Sequence, residues 1–298
     1  MTEKFEKHFK ELVKKVEQYL SASIKEENNA QGEIYKAMNY SLLAGGKRLR
    51  PVLTLATAEL LGADCDEVMP FACALERIHT HSLIHDDLPA LDNDDLRRGR
   101  PTCHKAFGEA VALLAGDALL NKAFEVMAEA TAKMNDPAKG ARIMQKVGNA
   151  SGTEGMMGGQ VADLRCEGKD ITEDQLRYMY AKKTGALLKA PFLIAIEAAG
   201  KTGTDEERRL LEYSETIGLA FQIKDDVLDV VGDAKLLGKE PGRDAADGKT
   251  TFASLYGVAK CEKILEEMTV KATSIAKTFG EKGEFLREMA EYLLERNY

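Results

Sequence analysis

Apolar residues recur at three- and four-residue spacing along almost the whole chain. No stretch alternates apolar with polar residues as a half-buried strand would. In EKFEKHFKELVKKVEQYL, for example, Phe5, Phe9, Leu12, Val13, Val16 and Leu20 fall on one helical face. Such a pattern restricts the chain to helices packed on helices. The segments are separated by clusters of Gly, Pro or Asp at 45–51, 61–70, the Asp-rich run ending at 102, 134–140, 166–175, 199–207 and 232–250. Thr172 followed by Gln175 has the spacing of a capping box. No interval is long enough to demand a second domain. Residues 1–298 are therefore read as one large all-α bundle of about ten or more helices, a count resting on average helix length.

Composition narrows the function classes. A net charge of -8 excludes a chain built to coat nucleic acid. Five cysteines, odd in number and without a CxxC pair, give no disulfide framework and point to reduced, incidental thiols. The N-terminal segment is a charged amphipathic helix rather than a signal peptide, and apolar runs such as APFLIAI are too short to span a bilayer. A cytoplasmic location without stable membrane insertion is expected.

Two acidic motifs stand out, and they differ in geometry. In IKDDVLDVVGD, Asp225 and Asp229 are four apart and share a helical face, with Asp226 beside them. The neighbours Ile223, Val227, Leu228, Val230 and Val231 are apolar, so this helix is expected to be largely buried. Buried like charges are costly unless a cation offsets them. In LIHDDLPALDNDD, Asp86 and Asp87 end a helical run, and Asp92 would point away from Asp86 on a continuing helix. Pro89 disfavours that continuation, so the chain is expected to loosen over Leu88–Ala90 and fold Asp92 back toward Asp86. Hard oxygen donors in this number suit Mg²⁺ shared with substrate phosphates. Asp94 and Asp95 are read as capping or solvated loop charges.

Basic sets accompany the acidic ones: Lys47-Arg48-Leu49-Arg50, Arg97-Arg98-Gly99-Arg100, Lys182-Lys183-Thr184, and Lys235, Lys239, Arg243 and Lys249. Each alone reads as solvated surface. Together with two carboxylate clusters they point to a chain that handles phosphorylated substrates through a divalent metal.

These residues resemble the trans-isoprenyl diphosphate synthase family, of the bacterial short-chain type. The resemblance rests on GGKRLRP, HSLIHDDLPALDNDDLRRGRPT, FGEAVALLAGDALL, GGQVADL, KKTGAL and FQIKDDVLDVVGD, which follow in family order over most of the chain. It implies an all-α homodimer of the isoprenoid synthase type with a deep central cavity. It further implies that isopentenyl diphosphate is joined to dimethylallyl or geranyl diphosphate. On this resemblance Asp86, Asp87 and Asp92 bind Mg²⁺ on one wall and Asp225, Asp226 and Asp229 on the other, with three ions per site once diphosphate is bound. Arg97, Lys183, Thr184, Gln222 and Lys239 hold the allylic diphosphate, and Lys47, Arg50, His79 and Arg98 that of isopentenyl diphosphate. Gln160 and Asp163 line the cavity, Asp163 as the partner of a diphosphate-binding lysine. The departing pyrophosphate takes the proton.

His81 departs from the pattern. Related short-chain enzymes commonly carry a bulky aromatic five residues before the first aspartate, flooring the product pocket. His81 lies about 7.5 Å deeper along the helix than Asp86, and Ser82 beside it is too small to block. A C15 product is expected, with C20 as the alternative. His81 and His85 are also four apart, a spacing that can chelate zinc. With Asp86 this pattern evokes HD-type metal phosphohydrolases. That rival needs a further histidine upstream, on another helix, and His8 is the sole candidate there; it also leaves the second aspartate motif unexplained. A non-catalytic partner subunit would be expected to have lost one of the motifs. His85 is read as packing or as hydrogen-bonded to an aspartate.

Overall fold

The computed structural model of the chain describes residues 1–231 and 248–295. Four helices open the chain: α1 (Glu3–Ser23), α2 (Gly32–Leu42), α3 (Leu49–Leu61) and α4 (Cys65–Asp86). A hairpin of β1 (Leu96–Arg97) and β2 (Arg100–Pro101) leads to α5 (Cys103–Phe107), α6 (Glu109–Lys133), α7 (Pro137–Ser151) and α8 (Met156–Cys166). Helix α9 (Glu173–Tyr180) runs through one π turn (Ala181–Gly185) into α10 (Ala186–Ala198). Then come α11 (Asp205–Val231), α12 (Phe252–Tyr256), α13 (Val258–Lys277) and α14 (Glu284–Glu295).

The burial pattern explains the layering. Helix α1 buries only Phe5, Leu12, Val16 and Leu20, the face its periodicity marks, and lies at the outside of the bundle. Helices α4 and α10 are buried nearly all round. Phe71 to Leu75 and Ile78 of α4, and Leu187, Phe192, Ile194 and Ile196 of α10, form the centre against α3, α6 and α7. A second apolar cluster, Leu176, Tyr180, Ile223, Val227, Phe252 and Leu265, joins α9, α11, α12 and α13. The capping box at Thr172 and Gln175 is present and starts α9.

Three local features differ from the sequence reading. The break expected over 61–70 is shorter, because Asp64 caps α4 by accepting from the Asp66 N–H and helix resumes at Cys65. Pro70 and Pro191 lie inside α4 and α10, where burial of the two central helices outweighs the lost backbone bond. The strand ladder is two residues long, too short to leave an alternating pattern. Its central residues Arg98 and Gly99 have φ of 53° and 72°, the left-handed pair that a tight hairpin turn requires. No described helix is long and apolar enough to cross a membrane.

Candidate active site

The end of α4 and the loop after it build the first acidic group. The helix stops at Asp86, and the chain turns back so that the Asp92 N–H donates to the Asp86 carbonyl at 2.8 Å. This is the fold-back that Pro89 was expected to allow. Asp86 then faces a central cavity of about 1330 Å³, counted with its open mouth. Asp87 points elsewhere. It is 3 % exposed, and the Arg97 guanidinium grips both its oxygens from the hairpin, at 2.6 to 2.9 Å. Asp94 also approaches Arg97, and Asp95 pairs with Lys105, so both are loop charges with partners.

Helix α11 supplies the second group, and it is divided in the same way. Asp225 faces the central cavity. Asp226 is 3 % exposed; Tyr180 Oη donates to both its oxygens (2.9 and 2.8 Å) and the Phe252 N–H to one of them (2.8 Å). Asp229 is buried. Ile223, Val227 and Leu228 are buried as the pattern required, whereas Val230 and Val231 are exposed.

The π turn carries Lys183 and Thr184 into the cavity between these walls. It adds one residue to the helical turn and pushes the segment outward, a device common at functional sites. Lys183 Nζ donates to Asp163 Oδ2 at 2.5 Å, the pairing expected of Asp163. Burial opposes the Lys183 charge, but Asp163, with Asp86 and Asp92, holds its pKa above the usual range. Helix α8 can approach the π turn because residue 159 is glycine: a Cβ there would stand 2.1 Å from the Lys183 backbone nitrogen. Gln222 and Thr184 border both the central cavity and a neighbouring one of about 650 Å³ that reaches Asp226 and Lys249.

A cationic group lies on the α3 side. Arg50 and His79 line the central cavity, and Arg50 Nε is buried without a hydrogen-bond partner. Burial lowers the Arg50 pKa to about 10, only partly countered by Glu76. Burial, then Arg50, Arg98, Arg97 and Arg48, push His79 well below the usual imidazole range. Arg98 bonds the Gly45 carbonyl and lies against Gly46, where a Cβ would come 2.7 Å from the guanidinium carbon. Lys47 stands half-buried in the turn before α3. Its neighbour Arg48 has a structural job: with φ of 48° it bonds Glu17, Glu76 and the Leu42 carbonyl, tying α1, α2 and α4 together.

Deeper in the cavity, His81 is 5 % exposed, with Nδ1 3.0 Å from the Gly116 carbonyl of α6 and its ring edge-on to His85 at 4.5 Å. Burial and His85 lower its pKa to about 4, so it is neutral at pH 7. His85 Nε2 lies 3.1 Å from the Leu113 carbonyl and 3.7 Å from Asp117. Its acidic neighbour thus comes from α6 rather than from the Asp-rich loop. Ser82 also lines the wall and donates to the His79 carbonyl. Around them Leu120, Met156, Met157, Val161 and Phe221 make the lower cavity apolar. His8, the further histidine the hydrolase rival required, pairs with Glu59 and packs its ring at a tilt against Phe285.

The donors present suit divalent cations with a phosphorylated ligand. Burial, then Asp92 and Asp87, outweigh Lys183 and Arg97 and push Asp86 up to about 6, and Asp86 also sits at the negative end of α4. Such a carboxylate gains most from an added cation. All-oxygen donors fit Mg²⁺, and the unpartnered Arg50 Nε fits a bound anion. Lys239 lies outside the described residues. Two residues escaped the sequence reading: Tyr180, which anchors Asp226, and Asp117. A signal for Asp117 existed, since it is the one charge in LLAGDALL.

The sequence profile of the polyprenyl synthetase family matches residues 31–286. Farnesyl diphosphate synthase of Escherichia coli (strain K12) is 40 % identical over 294 residues, covering 94 % of this chain and 98 % of that one. The large subunit 1 of the chloroplastic heterodimeric geranylgeranyl pyrophosphate synthase of Arabidopsis thaliana is 47 % identical over 245 residues. That match covers 80 % of this chain and 66 % of the subunit, so the chain spans about two thirds of that relative's length. Among solved structures, an FPP/GFPP synthase from Zymomonas mobilis superposes with a TM-score of 0.88 at 34 % identity, covering 99 % of this chain and 100 % of that one.

Proposed function

The chain belongs to the polyprenyl synthetase family, and we propose that within it the chain elongates dimethylallyl and geranyl diphosphates with isopentenyl diphosphate and stops at farnesyl diphosphate, C15. Prenyl diphosphate chain elongation follows from membership; the product length is our reading. One observation carries it. Asp86, Asp225, Lys183 and Arg50 border the same cavity as the apolar Leu120, Met156, Met157, Val161 and Phe221 and a His81 pinned to the Gly116 carbonyl.

In this reading Lys183, Thr184 and Gln222 hold the allylic diphosphate between Asp86 and Asp225, with Arg97 acting through Asp87 at the rim. Mg²⁺, on which the family typically depends, neutralises charge on the leaving diphosphate when bound. Lys183 adds a fixed positive charge where the C–O bond breaks. Arg50, His79, Arg98 and Lys47 hold isopentenyl diphosphate with its double bond toward the allylic carbon. Met156, Met157, Val161 and Phe221 keep water from the allylic cation. A C–C bond forms, and the proton lost from the new chain passes to the released diphosphate. Asp87 and Asp226, each already held by protein donors, act by fixing the loops and helices that carry Asp86 and Asp225. The functional unit is a homodimer.

Labelled isopentenyl diphosphate, supplied with dimethylallyl or geranyl diphosphate and Mg²⁺, should yield C15 as the main product by chromatography. His81→Ala should lengthen the product and His81→Tyr should keep it at C15. A wild-type C20 product overturns the C15 reading and would agree with the similarity to the Arabidopsis subunit, whereas an unchanged length with His81→Ala removes His81 as the floor. Arg50→Met should raise the KM for isopentenyl diphosphate by about 10- to 100-fold, with a smaller change for the allylic substrate. Equal effects on both substrates in steady-state kinetics would count against the assignment.

A further inference from the structure

We propose that His81, His85 and Asp117 form a second metal site, for a transition cation of the Zn²⁺ class, in the wall of the cavity below the aspartates. One ligand atom from each of the three lies within 4.8 Å of the others. The two histidines share a face of α4 one turn apart, and Asp117 meets them from α6.

Three further observations fit this set to a metal. His81 Nδ1 faces the Gly116 carbonyl at 3.0 Å, so the Nδ1–H tautomer donates there and leaves the Nε2 lone pair for an ion. A histidine ligand oriented through its other nitrogen by a backbone carbonyl is the usual arrangement around bound zinc. Burial keeps His81 neutral, the form that coordinates. Residue 116 is glycine, and a Cβ there would fall 2.2 Å from His85 Nε2, so α6 is shaped to receive the imidazole. Tetrahedral zinc at about 2.1 Å places its ligand atoms roughly 3.4 Å apart. His85 Nε2 faces the Leu113 carbonyl at 3.1 Å, so to coordinate it gives up that hydrogen bond and its proton. Asp117 Oδ1 is 3.7 Å away from it, and the Asp117 side chain is 61 % exposed and able to turn the remaining distance.

Ligand chemistry separates this site from the aspartates. Two imidazoles and one carboxylate favour Zn²⁺, Co²⁺ or Ni²⁺ over Mg²⁺, which prefers oxygen donors and gives up its water reluctantly. An ion here leaves a coordination position toward the cavity. If the function proposed above holds, on which this one consequence rests, occupancy narrows the path of the growing chain and shortens the product.

The test uses untagged full-length protein stripped with chelator. Zn²⁺ is titrated against a chromogenic chelator in excess Mg²⁺. One Zn²⁺ per chain should bind, with affinity falling about tenfold or more in both Asp117→Asn and His81→Gln. Co²⁺ should give the visible bands of a four-coordinate site in wild type and lose them in both variants. Circular dichroism checks the fold of each variant, and Cys166→Ser serves as a folded control that should bind as wild type. Absence of Zn²⁺ binding in Mg²⁺, or equal affinity in wild type and both variants, overturns the site. Product length is read separately: an unchanged product with Zn²⁺ bound overturns the narrowing, and absence of product in Mg²⁺ alone overturns the proposed function while the titration still reads the site.

Discussion

Asp86→Asn is expected to lower turnover by about 10³-fold and, in the same substitution, to raise the melting temperature of the metal-free protein at neutral pH. In the fold the Asp86 carboxyl titrates at about 6, above its ordinary 3.8, because burial and the neighbouring Asp92 and Asp87 oppose its charge. Ionising it is therefore easier in the unfolded chain. The penalty is absent below the unfolded pKa, grows between the two values and is complete above the folded one. A shift of this size corresponds to at most about 3 kcal/mol. Water in the open cavity screens it to about 1 kcal/mol, or some 2–4 °C for a chain of this size. Asparagine carries no such charge, so the stabilisation should be visible at about pH 7.5 and shrink toward about pH 5. Calorimetry in EDTA at both pH values, beside a kcat measurement in Mg²⁺, checks both halves. Retained turnover would remove Asp86 from the site, and equal melting temperatures at pH 7.5 would remove the charge argument.

Gly159→Ala should be nearly as damaging, though residue 159 carries no chemistry. The added Cβ would stand 2.1 Å from the Lys183 nitrogen and 2.4 Å from its Cα, both backbone atoms that cannot swing aside. Helix α8 must back away from the π turn, taking Asp163 from Lys183 and disturbing Thr184 with it. Overpacking of this kind costs about 1–3 kcal/mol of stability. The loss of a placed cation should reduce kcat/KM by about 10²-fold. Its signature is a kinetic profile like that of Lys183→Ala, with little further loss when the two are combined. Independent, multiplying effects would show that Gly159 acts elsewhere.

The sequence made some of this legible because the signals are local. The amphipathic stripe of α1, the Thr172 capping box and the fold-back of Asp92 past Pro89 each depend on residues within one or two turns. The division inside each aspartate motif is not local. Asp86 and Asp87 are identical residues side by side, and what separates them is Arg97, brought back by a hairpin too short to mark the sequence. Asp225 and Asp226 are separated likewise by Tyr180 and the Phe252 amide, which arrive from α9 and α12. Periodicity could place all four on helices but could not tell which carboxylate each partner would claim. The cavity was expected from resemblance, yet Asp117 was passed over, since nothing in α6 records that it meets two histidines of α4.

The π turn at Ala181–Gly185 has one more consequence. A π turn absorbs one residue beyond what an α-helix would use, while the helices on either side keep their relative rotation. Deleting a single residue there would let the ladder close as ordinary α-helix, with α9 and α10 still in phase with their neighbours. The outward step that carries Lys183 and Thr184 into the cavity would vanish. Architecture and chemistry are thus separable at this point by one codon.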